Sequence, residues 1–138
     1  MASGRLTGPA LGRCYAAVLV ALVGLDALWL GVLTKDLYRR EMGSLMADSV
    51  RLAPAVLFYL LYPAALTYLA LLHRPSGVLE AMRRSAVLGL AAYGAYDLTN
   101  LAIVRGWPLG LSLIDWAWGG AVSAIAGGAG WWTAWRRK

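Results

Sequence analysis

Four apolar runs of about 20 residues, the length an α-helix needs to cross a bilayer, dominate this chain. A backbone in hydrocarbon must satisfy its own hydrogen bonds, which leaves helices or a closed barrel. Runs this long and continuous are helical, since a barrel strand needs only about 9–11 residues of alternating polarity. Charged residues are 14% of the chain, against about 25% in soluble domains, so the apolar runs are not cores of a water-soluble fold. The fold class is therefore an all-α integral membrane four-helix bundle, with residues 1–138 as one transmembrane domain.

Bounded by charge, the runs predict helices over about Arg13–Thr34, Ala53–Leu72, Ser85–Val104 and Leu109–Trp132. Pro54 suits a helix start. Pro63 falls inside the second span, where a bundle tolerates a kink. Arg74–Gly77 and Gly106–Pro108 read as turns. In the longest connection, Tyr38, Met42, Leu45 and Met46 fall at i, i+4, i+7 and i+8, which fits a short interfacial helix over about 36–47. Gly43 weakens that pattern and leaves a polar loop as the alternative. Arg5 and Arg13 resemble the charged start of a signal peptide, but Cys14–Leu33 is too long for its apolar core, and Asp26 interrupts it. The first helix is read as retained.

Thirteen Lys and Arg set the direction. Arg5, Arg13, Arg74, Arg83, Arg84, Arg136, Arg137 and Lys138 fall on one side, eight in all, and Lys35, Arg39, Arg40, Arg51 and Arg105 on the other, five in all. The positive-inside rule puts both termini in the cytoplasm. Trp131, Trp132 and Trp135 then form an inner aromatic belt, with Trp107 and Tyr38 marking the outer one. The net charge of +6 thus serves topology and anionic headgroups, and nucleic acid is not implied. The Arg39-Arg40 and Arg83-Arg84 pairs are topology signals first and headgroup sites second. Cys14 is the single cysteine, which excludes an intrachain disulfide and a CxxC site.

Three aspartates interrupt the apolar runs. Each costs roughly 2.5–3.5 kcal/mol at a helix centre, so they are expected to face the bundle interior. Asp26 is eight residues before the end of its run, Asp97 seven before the end of its own, and Asp115 seven after Pro108. At 1.5 Å per residue, all three lie about 10–12 Å below the outer boundary. Tyr93, Asp97 and Asn100 share one face of the third helix, and Trp29 shares a face with Asp26. The expected site joins Asp26, Asp97 and Asp115, lined by Tyr59, Tyr62, Tyr93, Asn100, Trp29 and Trp118. No Lys, Arg or His lies within a span to neutralise it, and clustered carboxyls cannot all ionise. That favours proton- or cation-linked binding or transport of a small molecule. Alternatives are a membrane enzyme acting on a lipid or isoprenoid, an accessory subunit of a membrane complex, and aspartates that serve only as interhelical glue.

No metal-ligand set is evident. The cofactor is unknown. Haem is disfavoured because the lone histidine, His73, sits at an edge, and retinal because no lysine lies within a span. Asp115, Gly119, Ser123 and Gly127 make one stripe of small residues, with Gly120, Ala124 and Gly128 beside it. Such faces let helices approach closely, and the second could support a homodimer or other membrane subunits.

Leu25-Asp26, Trp29-Leu30, Phe58-Tyr59, Tyr62, Tyr93, Trp107, Asp115, Trp118-Gly119 and above all Tyr96-Asp97-Leu98-Thr99-Asn100 resemble the family called domain of unknown function 2177. The resemblance covers about Tyr15–Gly128. It implies a small multi-pass protein of the bacterial cytoplasmic (inner) membrane with four helices. It carries no activity and no catalytic residue.

Overall fold

The computed structural model describes residues 4–47 and 51–136. Arg137 and Lys138, which count toward the charge bias, lie outside the described residues. Over the described residues the chain is an all-helical integral membrane bundle with four apolar spans, Gly8–Leu33, Leu52–Leu71, Val78–Ile103 and Leu109–Ala134. Its outer surface is apolar, unlike that of a soluble bundle. Val20, Leu52, Leu79 and Ile103 are each at least 70% exposed, while Ser85, Ser123 and Gly127 are buried. Apolar side chains gain little by leaving lipid, so the interior joins an apolar cluster that includes Val18, Leu22, Leu66, Leu71 and Val122 to small and polar residues that pack closely and hydrogen-bond.

Helix α1 (Gly8–Leu28) begins with a proline in its first turn and continues as a π turn over Trp29–Leu33. Its buried face is Cys14, Val18, Leu22 and Asp26, a strict stride of four. Thr34 closes the π turn by donating both its N–H (2.8 Å) and its hydroxyl (2.7 Å) to the Trp29 carbonyl. Helix α2 (Lys35–Met42) follows and ends at Gly43, whose φ of 52° lies in the left-handed region that suits glycine. A short helix is therefore present in this connection, but it stops before Leu45, and Gly43–Leu45 is a 3₁₀ turn.

Helix α3 (Leu52–Leu66) also passes into a π turn, Thr67–Leu71. Pro63 lies inside it and cannot donate to the Tyr59 carbonyl. The Tyr15 hydroxyl donates to the next carbonyl, Leu60, at 2.9 Å. Helix α4 (Val78–Ile103) starts seven residues earlier than hydropathy suggests. Glu80, Arg83 and Arg84 occupy its first turns, where Glu80 pairs with both arginines. Arg84 also donates to the His73 carbonyl (2.9 Å) at the end of the second span. Helix α5 (Leu109–Ala134) begins after Pro108.

Helix α5 is the axis of the bundle, packed against α4, α1 and the Thr67–Leu71 turn. The α4 stripe Ala81, Ser85, Gly89 and Asp97 meets its small residues. A Cβ on Gly89 would collide with the Gly119 backbone and lie 2.6 Å from Ser123 Cβ. This contact corrects one expectation. Gly120 lies against Leu90 and Gly128 against Met82, both on α4 of the same chain. Helix α4 therefore occupies the Gly120, Ala124, Gly128 face, which is not free to form a homodimer.

The aromatic belts are corrected too. Trp131 and Trp132 remain at the α5 end, but Trp135 is 2% exposed and donates its indole N–H to the Leu71 carbonyl at 2.8 Å. It locks the end of α5 to the second span, with Arg74 over its ring. Nearby, Leu6 N–H donates to Leu72 O (2.8 Å) and Arg74 N–H to Gly4 O (2.7 Å), tying the N-terminal segment to the same edge.

A candidate acidic–aromatic cavity

The three aspartates keep their common level in the folded chain. Asp26 is seven residues before Leu33, Asp97 six before Ile103 and Asp115 six after Leu109, which is about 9–11 Å from the α2 end of each span. They form two stations. At the first, Asp26 on α1 is 5% exposed and accepts on both oxygens. Tyr59 of α3 donates to Oδ2 at 2.5 Å, Tyr93 of α4 to Oδ2 at 3.3 Å and Trp118 of α5 to Oδ1 at 2.7 Å. Every span thus contributes. At about 1 kcal/mol each, three hydrogen bonds offset the roughly 2.5–3.5 kcal/mol that an aspartate costs at this depth.

At the second station, Asp97 and Asp115 border one small space. Asp97 is 2% exposed, and its Oδ2 has no hydrogen-bond partner among the described residues. A water-sized space of about 10 Å³ adjoins the pair, also bordered by Ser112 and Trp107. Tyr38 reaches over from α2 and donates to Asp115 Oδ1 at 2.6 Å. Burial and the Asp115 carboxylate both push the Tyr38 phenol above its ordinary pKa, so it holds its proton as a donor. Tyr38, expected at the outer belt, thus reaches the bundle through its hydroxyl.

Both stations open on one cavity of about 410 Å³. Its lining is Asp26, Leu30, Tyr38, Phe58, Tyr59, Ala92, Tyr93, Tyr96, Asp115 and Trp118, with no Lys, Arg or His among them. Six aromatic rings and two carboxyl-bearing residues around a space of this size suit an organic cation, which an aromatic face and a negative charge both attract. Among the described residues no group of three or more His, Cys, Asp or Glu converges on a point that could hold a metal ion.

Of the expected residues, Asp26, Asp115, Tyr59, Tyr93 and Trp118 line this cavity, and Asp97 backs it. Trp29 supports it from behind, its ring stacked on Trp118 at 4.3 Å and 3°. The other two expected residues lie farther from the cavity. Tyr62, one turn deeper than Tyr59, hydrogen-bonds Ser123 at 2.6 Å and ties α3 to α5. Asn100 lies on α4 beyond the lining and accepts through its backbone from Val104 N–H. Sequence reasoning missed Tyr38, Phe58 and Tyr96 as lining residues. Tyr38 headed the amphipathic stripe of its helix, and Tyr96 preceded Asp97, but nothing local pairs Tyr38 with a carboxyl 77 positions away.

A four-span membrane protein with a buried acidic–aromatic cavity is the class that this fold and site define. The chain belongs to the DUF2177 family of predicted membrane proteins, whose family profile matches residues 11–132. The resemblance read from the sequence is thereby borne out. No curated protein and no solved structure matches the chain.

Proposed function

We propose that this protein binds a small organic cation in the cavity between α1, α3, α4 and α5, and that binding is linked to proton release. The observation that carries this reading is the cavity itself, a space of about 410 Å³ with carboxyls at Asp26 and Asp115, a wall of aromatic rings and no cationic side chain. Around it face the titratable groups Asp26, Asp97, Asp115, Tyr38, Tyr59, Tyr93 and Tyr96. A cation and a proton compete for the same carboxyls, so binding strengthens as pH rises. In transport this exchange would be the coupling step. We place the protein in a bacterial cytoplasmic membrane with both termini inside, as the Lys and Arg bias supports.

The test uses the protein in lipid nanodiscs, titrated with tetramethylammonium and with tetraphenylphosphonium. Trp118 lines the cavity, so tryptophan fluorescence reports occupancy. The reading expects saturable binding of at least one cation, tighter at higher pH and weakened by Asp26→Asn. Flat titrations of both cations across pH, with circular dichroism showing folded protein, would overturn it.

A further inference from the structure

Among the described residues, α2 roofs one side of the cavity. Helix α2 packs on the Trp29–Leu33 turn and on α5, which covers the α1–α5 side. The α3–α4 side is different. The inner end of the second span, Thr67–Leu71, packs against α4 and α5, whereas α3 itself is held mainly by α1. The second and third spans thus pack at the Thr67–Leu71 end, and nearer α2 side chains bridge them, with the Phe58 and Tyr62 rings 6.5 and 6.0 Å from that of Tyr93. On this side Phe58 stands on α3 and Tyr96 on α4. Each lines the cavity, and Phe58 is 40% and Tyr96 52% exposed. Leu30, also a lining residue, is 46% exposed.

The depth of this side decides what reaches it. Phe58 is six residues after Leu52 and Tyr96 seven before Ile103, about 9–11 Å from the ends of their spans. A hydrocarbon core is about 30 Å thick, so the mouth opens at the level of acyl chains and not at the water boundary. Its rim is aromatic and aliphatic, while the carboxyls lie inside.

We propose, resting on the cation-binding reading above, that the ligand is a cationic amphiphile taken sideways from the bilayer. Its ammonium head sits among the rings beside Asp26 and Asp115. Its apolar tail runs out between Phe58 and Tyr96 into the lipid. Charge complementarity chooses the head, and the depth and apolar rim of the mouth choose the tail. No step through water is needed, because the ligand arrives already dissolved in the leaflet.

The test uses dodecyltrimethylammonium carrying a photoactivatable diazirine in mid-tail, added to the full-length protein in zwitterionic nanodiscs. Labelled positions are read by peptide mass spectrometry. The proposal expects labelling concentrated around Leu30, Phe58 and Tyr96, above that at the lipid-facing positions Val20, Leu79 and Ile103. Labelling at the mouth should fall about tenfold or more in Asp26→Asn, as removal of a charge partner in a low-dielectric site implies. Tetramethylammonium in excess should also suppress it. Uniform labelling of the lipid-facing surface, or labelling concentrated on α2, would overturn the sideways route. If tetramethylammonium binds while the tail labels in either of those ways, only this inference fails. If neither cation binds the folded protein, the cation reading fails with it.

Discussion

Replacing Gly119 with alanine tests the packing that shapes the cavity. Within a helix, Gly→Ala alone stabilises by about 1 kcal/mol through backbone entropy. Gly24 on α1 shows that case, since a Cβ there meets nothing within 4 Å. At Gly119 the new Cβ would overlap Cγ and Cβ of Tyr93 and lie 2.7 Å from its Cδ1. These atoms are the root of the ring, not the end of a flexible chain, so α4 and α5 must part or the ring must leave. Overpacking of this kind costs about 1–3 kcal/mol. Moving Tyr93 also breaks its hydrogen bond to Asp26, worth about 1 kcal/mol. The sum, less the entropic gain, leaves Gly119→Ala about 1–3 kcal/mol less stable than the natural chain. Cys14 supplies the assay. It is the single cysteine and 0% exposed, so its alkylation by a maleimide reports unfolding across an SDS titration. Gly119→Ala should lose protection at lower SDS, and Gly24→Ala at equal or higher SDS. Equal midpoints for the two variants would refute the close α4–α5 contact and, with it, the origin of the cavity wall.

Four further outcomes follow from the geometry. Trp135→Phe keeps the ring but strands the buried Leu71 carbonyl, and should cost about 1–3 kcal/mol in the same assay. Arg84→Met removes donors from the Ala70 and His73 carbonyls and should destabilise by about 1–3 kcal/mol, whereas the same change at the more exposed Arg83 should do little. The folded Tyr38 phenol sits above its ordinary pKa, so the unfolded chain releases that proton first. Its contribution is full below the unfolded value of about 10 and is lost as pH rises beyond it, so stability should fall in that range. Tyr38→Phe should flatten that alkaline decline in unfolding midpoints measured from pH 8 to 11, and an unchanged slope would argue against the buried phenol. The same variant removes the hydrogen bond from α2 to Asp115, and hydrogen exchange of the Lys35–Met42 amides should quicken.

What the linear chain determined by itself was every feature that depends on local hydropathy and spacing. Bilayer-length runs dictated four helices, because no other open structure satisfies its backbone in hydrocarbon. Counting residues from charged boundaries placed three aspartates at one depth, because helical rise is constant. The i+4 stripe of α1 put Asp26 on the face that the fold buries. The Tyr96-Asp97-Leu98-Thr99-Asn100 run pointed to the family that the profile then showed.

Tertiary structure decided which faces meet, and periodicity carries no such information. The Gly120 and Gly128 face looked available to a second copy until Leu90 and Met82 of α4 were found against it. Trp135 and Tyr38 look like interfacial aromatics in the sequence, since a terminal tryptophan and a loop tyrosine both suit that role. Each turned toward the bundle where an acceptor met it, the buried Leu71 carbonyl for one and the half-buried Asp115 carboxyl for the other. Tyr62 and Tyr59 differ by three positions on α3, yet one serves a serine in the packing and the other a carboxyl at the cavity. The separation of Asp26 from the Asp97–Asp115 pair has the same origin. Depth is set along each helix, but azimuth and partner are set by contacts between residues tens of positions apart, where one glycine determines how near two helices come.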